Sequence, residues 1–251
     1  LQALHGGVQY IDAIEINKSS IDLTNELRDY NGSIFYNDKV NVQIADGRSF
    51  IRQSDKNYDM IFLSMVMTGT SQSGSLVTAE TYIYTKEAIS SYMNKLTENG
   101  MLTFVSHDTQ DMIKILRTIR DVLIEKGTSV EDIKKQLMAV GNAMTHGKET
   151  MLHSPVIIYS PKEFSDSEVA TAKRFINKIS VTPLILKDTL EIDIIKAVIE
   201  DEYLDLPFNY APATDENPYF YNLSKGVPNS LLLILIVALI AKFGCLTKQR
   251  N

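Results

Sequence analysis

Along the first hundred residues, short apolar runs alternate with amphipathic stretches. Residues 8–16 (VQYIDAIEI) predict a strand, and residues 20–30 a helix with Ser19 or Ser20 as its N-cap. Residues 40–45 (VNVQIA) predict a second strand, followed by Asp46-Gly47 and a short helix over 48–53. Residues 58–65 (YDMIFLSM) are nearly all apolar, as in a strand buried on both faces. A loop of small polar residues (68–75, TGTSQSGS) leads into a long helix over 79–96. Asn99-Gly100 ends that helix, and 101–106 (MLTFVS) form a fourth strand. Such alternation predicts an α/β fold, a parallel sheet with helices on both faces and right-handed crossovers. The carboxyl ends of the strands then share one edge, where open α/β sheets bind ligands.

The second half is less regular. Helices are predicted over 111–126, 130–140, 166–179 and 190–200, with strands over 156–159 and 183–186 and a turn over 161–165. Residues 202–222, rich in Pro, Asn, Asp and aromatics, read as an ordered loop. No internal repeat or low-complexity linker divides the chain, so a single domain over 1–222 is expected. Beyond it, residues 231–241 (LLLILIVALIA) are eleven apolar residues in a row. A bilayer span needs about 20 residues. Extending the run to 227–246 reaches that length, with Pro228 in the first turn and Lys242 able to snorkel. A C-terminal transmembrane helix over 227–246 is therefore expected. Lys242, Lys248 and Arg250 follow the run and Lys225 precedes it, which by the positive-inside rule alone would put the domain outside.

Composition narrows the function classes. Hydrophobic residues make up 44% of the 251 and charged residues 22%, which excludes a wholly disordered, collagen-like or polytopic membrane chain. A net charge of −6 supplies no basic field, so no nucleic-acid partner is expected. One cysteine cannot form an internal disulfide, and His5, His107, His146 and His153 lack ligand spacing, so no metal is expected.

Three places along the expected edge can carry chemistry. Glu15 ends the first strand. A carboxylate there has two acceptor oxygens for the hydroxyls of a ribose, or it is a favourable charge at the start of the next helix. Asp46-Gly47 ends the second strand. The Asp is an acceptor for the amino group of adenine and the Gly allows close approach of a flat ring, or the Asp is simply an N-cap. Ser64 closes the third strand, and the 68–75 loop either closes over a substrate or merely connects. A nicotinamide dehydrogenase would also use Glu15, but Asp46-Gly47 favours an adenosylmethionine-type pocket. Ser106-His107-Asp108 lists the residue types of a hydrolase triad, yet neighbours on one strand end cannot take up triad geometry. The chain has no Gly-x-Ser-x-Gly elbow, and GTSQSG lacks the lysine of a P-loop.

The order AIEIN, ADGRSFI, YDMIFLS, a polar loop and TAETYIYTKEAISSYMNKLTENGMLTF resembles the spermidine synthase family, which has the Rossmann-like fold of S-adenosylmethionine-dependent methyltransferases. TMLHSPVIIYSPKEFSDSEVATAKRF and PATDENPYFYN resemble segments of its bacterial membrane-associated branch. The resemblance implies that Glu15 holds the ribose hydroxyls and that Asp46 and Gly47 frame adenine. Tyr58-Asp59 begins the strand leading to the active centre. Glu80 and Tyr82 match the acid-aromatic pair after the loop, as substrate-binding residues, and Thr214, Asp215 and Pro218 match a terminal motif. It also implies S-adenosylmethionine or its decarboxylated form as co-substrate, a small-molecule amine as acceptor and a homodimer. The setting it implies is the bacterial inner membrane, with the domain facing the cytoplasm.

Two departures qualify the resemblance. Ser64 stands at the position of the family's catalytic aspartate, and the acid that follows it is also missing. The glycine-rich loop is not in the chain; Leu1 to Gly7 looks like the helix that follows it, so the sequence reads as N-terminally truncated. The leading expectation is a transferase moving an aminopropyl or methyl group from a sulfonium donor to a nucleophile. The alternative, motivated by Ser64, is a catalytically inactive nucleotide-binding or structural domain of a membrane protein.

Overall fold

A computed structural model describes residues 2–66, 80–146, 149–187, 189–190, 192–202 and 204–226. After a short helix α1 (Gln2–His5), two strands, β1 (Ile11–Glu15) and β2 (Val40–Ile44), pair in parallel as a separate two-stranded sheet. Between them lie α2 (Lys18–Glu26) and α3 (Arg28–Asn31). Asn17, not Ser19 or Ser20, caps α2, accepting from the Ser19 backbone N–H. Asp46 caps α4 (Gly47–Gln53) in the same way through Ser49.

A six-stranded sheet holds β3 (Tyr58–Ser64), β4 (Leu96–Val105), β5 (Leu137–His146), β6 (Glu149–Tyr159), β7 (Thr182–Leu186) and β8 (Thr189–Leu190), in the order β3-β4-β6-β5-β7-β8. Only β3 and β4 are parallel; the other four pairings are antiparallel. The all-parallel expectation is thus corrected to a mixed sheet, because 137–159 form a hairpin between β4 and β7. Its first strand replaces the second half of the helix expected over 130–140. That helix, α7 (Val130–Lys135), stops where the apolar run LMAV begins.

The long helix expected over 79–96 is also divided. Residues Tyr82–Tyr84 form one 3₁₀ turn, and Thr85 then caps α5 (Lys86–Asn94), accepting from the Ala88 N–H. Asn99-Gly100 lies inside β4 and does not end the helix. A Cβ at Gly100 would stand 2.8 Å from the Tyr58 carbonyl oxygen, so the β3–β4 register needs glycine there.

The main core lies on one face of the sheet, under α5, α6 (Thr109–Glu125) and α9 (Asp193–Glu200), and contains Ile89, Tyr92, Leu102, Phe104, Ile113, Leu116 and Ile199. On the other face, α8 (Asp166–Ile179) sets Ile176 against Met138, Phe164 and Leu186. A capping box between Ser165 and Glu168 starts α8. Helices therefore lie on both faces, as expected, but not over all of β3. Ile61 and Leu63 are buried, whereas Met60 and Phe62 on the opposite side are more than half exposed among the described residues. The expectation of a strand buried on both faces holds for one face only.

Residues 68–75 and 227–246, the expected polar loop and transmembrane helix, lie outside the described residues. Among the described residues no helix is long and apolar enough to cross a membrane.

Candidate functional site

Asp12, near the start of β1, accepts hydrogen bonds from Lys56 Nζ (3.0 Å) and the Tyr58 hydroxyl (3.3 Å) at the start of β3. The strands of the two sheets therefore begin together, and the carboxyl ends of β1 to β4 share one edge. Glu15 sits opposite Ile44 there, and the Ala45 N–H donates to the Glu15 carbonyl, which places Asp46 beside Glu15. The two acids of the expected nucleotide pocket are brought together.

Each also does local work. Glu15 Oε1 accepts from the Asn17 N–H at 2.7 Å, and Asp46 Oδ1 from the Ser49 N–H at 2.8 Å. The helix-start readings of both residues are thus realised. They do not exclude a ligand, because a carboxylate has about four lone-pair positions and these bonds take one each. Gly47 is more telling. A Cβ there would meet only Ile83 Cδ1, at 3.8 Å, so the protein's own packing does not require glycine.

Further along the edge, Ser64 ends β3 opposite Val105. Glu80 and Tyr82 do pair, the tyrosine hydroxyl donating to Glu80 Oε2 at 3.1 Å, which together with the carboxylate charge raises the phenol's pKa. Tyr58 and Asp59 lie at the far end of β3, where Tyr58 meets Ser54 and Asp59 accepts from Thr97.

Sequence reasoning assigned no chemistry to the Thr214-Asp215 segment, and the structure gives it a clear task. Arg48, on the first turn of α4, donates to both Asp215 oxygens (2.8 and 2.5 Å) and, at 3.4 Å, to the Tyr82 carbonyl. Thr85 Oγ1 donates to the same carboxylate at 2.7 Å, and the Asp215 N–H donates to Glu87. Thr81 N–H reaches the Pro218 carbonyl at 2.7 Å. The terminal motif is therefore a clamp on the start of α4 and on the entry to α5. The two charges sustain each other: Asp215's hydrogen bond raises the guanidinium's pKa, and Arg48's lowers the carboxyl's.

A second polar group gathers where β3 and β4 end. Asp108 caps α6, accepting from the Gln110 and Asp111 N–H groups. His107 Nδ1 pairs with Asp111 Oδ2 at 3.1 Å. The hydroxyls of Tyr84 and Tyr221 both donate to the Val66 carbonyl at 3.1 Å. Burial pushes the Asp111 carboxyl up, helped by the charge of Asp108, and the bond from His107 opposes this.

One turn on, Lys114 is almost wholly buried. It donates to the Phe220 carbonyl at 2.5 Å and lies over the Phe220 ring. Desolvation, partly offset by Asp111, lowers its pKa to about 8. Between that value and the free-lysine value of about 10.4, the folded chain binds fewer protons than the unfolded one, so stability rises with pH across this window. Urea denaturation at pH 7.5 and pH 10 should show wild type gaining roughly 2–3 kcal/mol on Lys114→Met. A constant gap between the two proteins would show that Lys114 titrates normally.

Among the described residues no group of three or more His, Cys, Asp or Glu side chains could hold a metal ion.

A family model for the spermine/spermidine synthase domain matches residues 3–156. Polyamine aminopropyltransferase 2 of Bacillus anthracis is 24% identical over 127 residues, 49% of this chain and 33% of that protein, so the chain matches about a third of this relative's length. Similar solved structures include a probable spermidine synthase from Corynebacterium glutamicum (13% identity, 81% of this chain, 63% of that chain, TM-score 0.48). Another is spermidine synthase from Thermotoga maritima (12% identity, 90% and 59%, TM-score 0.41). With more than half of its 251 residues matched by that one family model, the chain belongs to the spermine/spermidine synthase domain family.

Proposed function

We propose that the chain is the nucleotide-binding portion of an aminopropyltransferase acting on decarboxylated S-adenosylmethionine, with a small amine as acceptor. The observation that carries this reading is the side-by-side placement of Glu15 and Asp46-Gly47 at the carboxyl edge. In it, Glu15 accepts from the ribose hydroxyls, Asp46 accepts from the adenine amino group, and Glu80 and Tyr82 line the acceptor side. In the transfer, the amine nitrogen bonds to the methylene carbon beside the sulfonium. The C–S bond breaks, its electron pair neutralises the sulfur, and 5′-methylthioadenosine leaves. Positioning dominates such an in-line displacement.

Gly47 tests the reading, because the protein itself leaves room for a methyl group there. Gly47→Ala in the full-length protein should keep or slightly raise the melting temperature, since alanine favours helix by up to about 1 kcal/mol. It should also weaken binding of 5′-methylthioadenosine by at least about tenfold, a change of 1.4 kcal/mol, as measured by calorimetry. Unchanged affinity would remove adenine from this turn.

Ser64 in place of the family's aspartate favours a second reading, a nucleotide-binding domain without catalysis. Donor binding without donor consumption, across a panel of diamines and polyamines, would select it. Membrane attachment through 227–246, with the domain facing the cytoplasm, belongs to both readings and rests on the apolar run alone.

A further inference from the structure

The amine acceptor of the proposed transfer is mostly an ammonium at neutral pH, since free amines of this kind have pKa values near 10. It must lose a proton before or during attack, and Ser64 is no base at neutral pH without an activating partner. The acceptor of that proton has to come from a neighbouring element. In the β3–β4 register Ser64 lies opposite Val105, the last residue of β4, and His107 stands two residues past that end. Its side chain is 31% exposed, while Asp111, which binds its Nδ1, is 8% exposed.

A buried carboxylate on one ring nitrogen fixes the imidazole's orientation and tautomer: Nδ1 keeps the proton and donates it to Asp111, and Nε2 keeps its lone pair. The adjacent acid Asp108 caps α6 through Oδ1, and it is Asp111 that meets the His107 ring. The surroundings suit a cation. The charge of Asp108 acts on Asp111 and that of Asp111 reaches the buried Lys114, while Tyr84 lies tilted against Phe220 with centroids 4.6 Å apart and Tyr221 meets Phe220 edge-on.

We propose that His107 is the general base of the transfer and Asp111 its positioning residue, taking over the task of the acid missing at Ser64. The inference rests on the aminopropyltransferase reading above. In the step, Nε2 takes the proton of the acceptor nitrogen as that nitrogen bonds to the donor methylene. The C–S electron pair stays on sulfur, and the imidazolium formed is held by the Asp111 carboxylate until its proton passes to water.

The test uses full-length protein with decarboxylated S-adenosylmethionine and a diamine. His107→Gln should lower kcat by about 100-fold or more, the usual contribution of a general base, with the affinity for 5′-methylthioadenosine and the melting temperature unchanged. Asp111→Asn should lower kcat in the same direction. In His107→Gly, added imidazole should restore turnover in proportion to its free-base concentration, which a purely structural histidine would not show. Wild-type turnover in His107→Gln, or a His107→Gly loss that imidazole does not restore, overturns the role of His107 and leaves the aminopropyltransferase reading standing. A wild-type protein that binds donor but transfers to no amine overturns both.

Discussion

Asp215→Asn should melt about 4–12 °C lower than wild type, the equivalent of roughly 2–3 kcal/mol in a domain of this size. The loss comes from Arg48, which is buried and would keep its charge while losing the carboxylate that holds both ends of its guanidinium. Removing one partner of a fully buried pair costs about 3–5 kcal/mol. The lower figure applies because the Asp215 side chain is 39% exposed, so water screens part of the interaction. The pair also has a pH signature. Asp215's carboxyl is held below its ordinary value by the Arg48 bond, so its contribution is complete above the unfolded value of about 3.9 and is lost as pH falls through the folded one. Thermal melts at pH 7 and below pH 4 should therefore show the gap between wild type and Asp215→Asn closing in acid. Equal melting temperatures at pH 7 would mean the clamp is decorative.

The second large effect is on ligand binding. Glu15→Ala should weaken 5′-methylthioadenosine binding by about 100-fold or more, since two hydrogen bonds to a charged group contribute roughly 1.5–3 kcal/mol each. Stability should change little, because the hydrogen bond the Glu15 side chain accepts within the protein, from the Asn17 N–H, is solvent-exposed. Glu15→Gln, which keeps an acceptor oxygen but not the charge, should fall between the two. Calorimetric titration separates the cases, and wild-type affinity in Glu15→Ala would refute the ribose role.

The strands of residues 11–64 were readable because each is short and followed by its own stop, whereas the helix expected over 20–30 divides into α2 and α3 at Leu27. β1, β2 and β3 lie within the predicted ranges, and Glu15, Asp46 and Ser64 fall where expected. The hairpin at 137–159 was not. VEDIKKQLMAV carries helical spacing throughout, and only pairing with β6, the next strand, and with β7, some way along the chain, turns its second half into a strand. The spacing of His107 and Asp111 is visible in the sequence. Its meaning depends on the N-cap at Asp108, where the chain turns into α6 so that Asp111 in the first turn meets His107 just before the cap. Lys114, spaced with Asp111, Arg117 and Thr118 along α6, carried no sign that its charge is enclosed, because burial is set by Phe220, which arrives 106 residues later. Asp215 is the extreme case, its partner lying on the helix after the second strand.

That separation has a consequence for how the molecule comes into being. Arg48 and Asp215 are 167 positions apart. At about 5–20 residues per second, a ribosome needs roughly 10–30 seconds to make the one after the other. For that time the turn carrying Asp46 and Gly47 exists without its lock, and closing so long a loop is among the slower events in folding. The turn after β2 is thus made well before the residue that secures it.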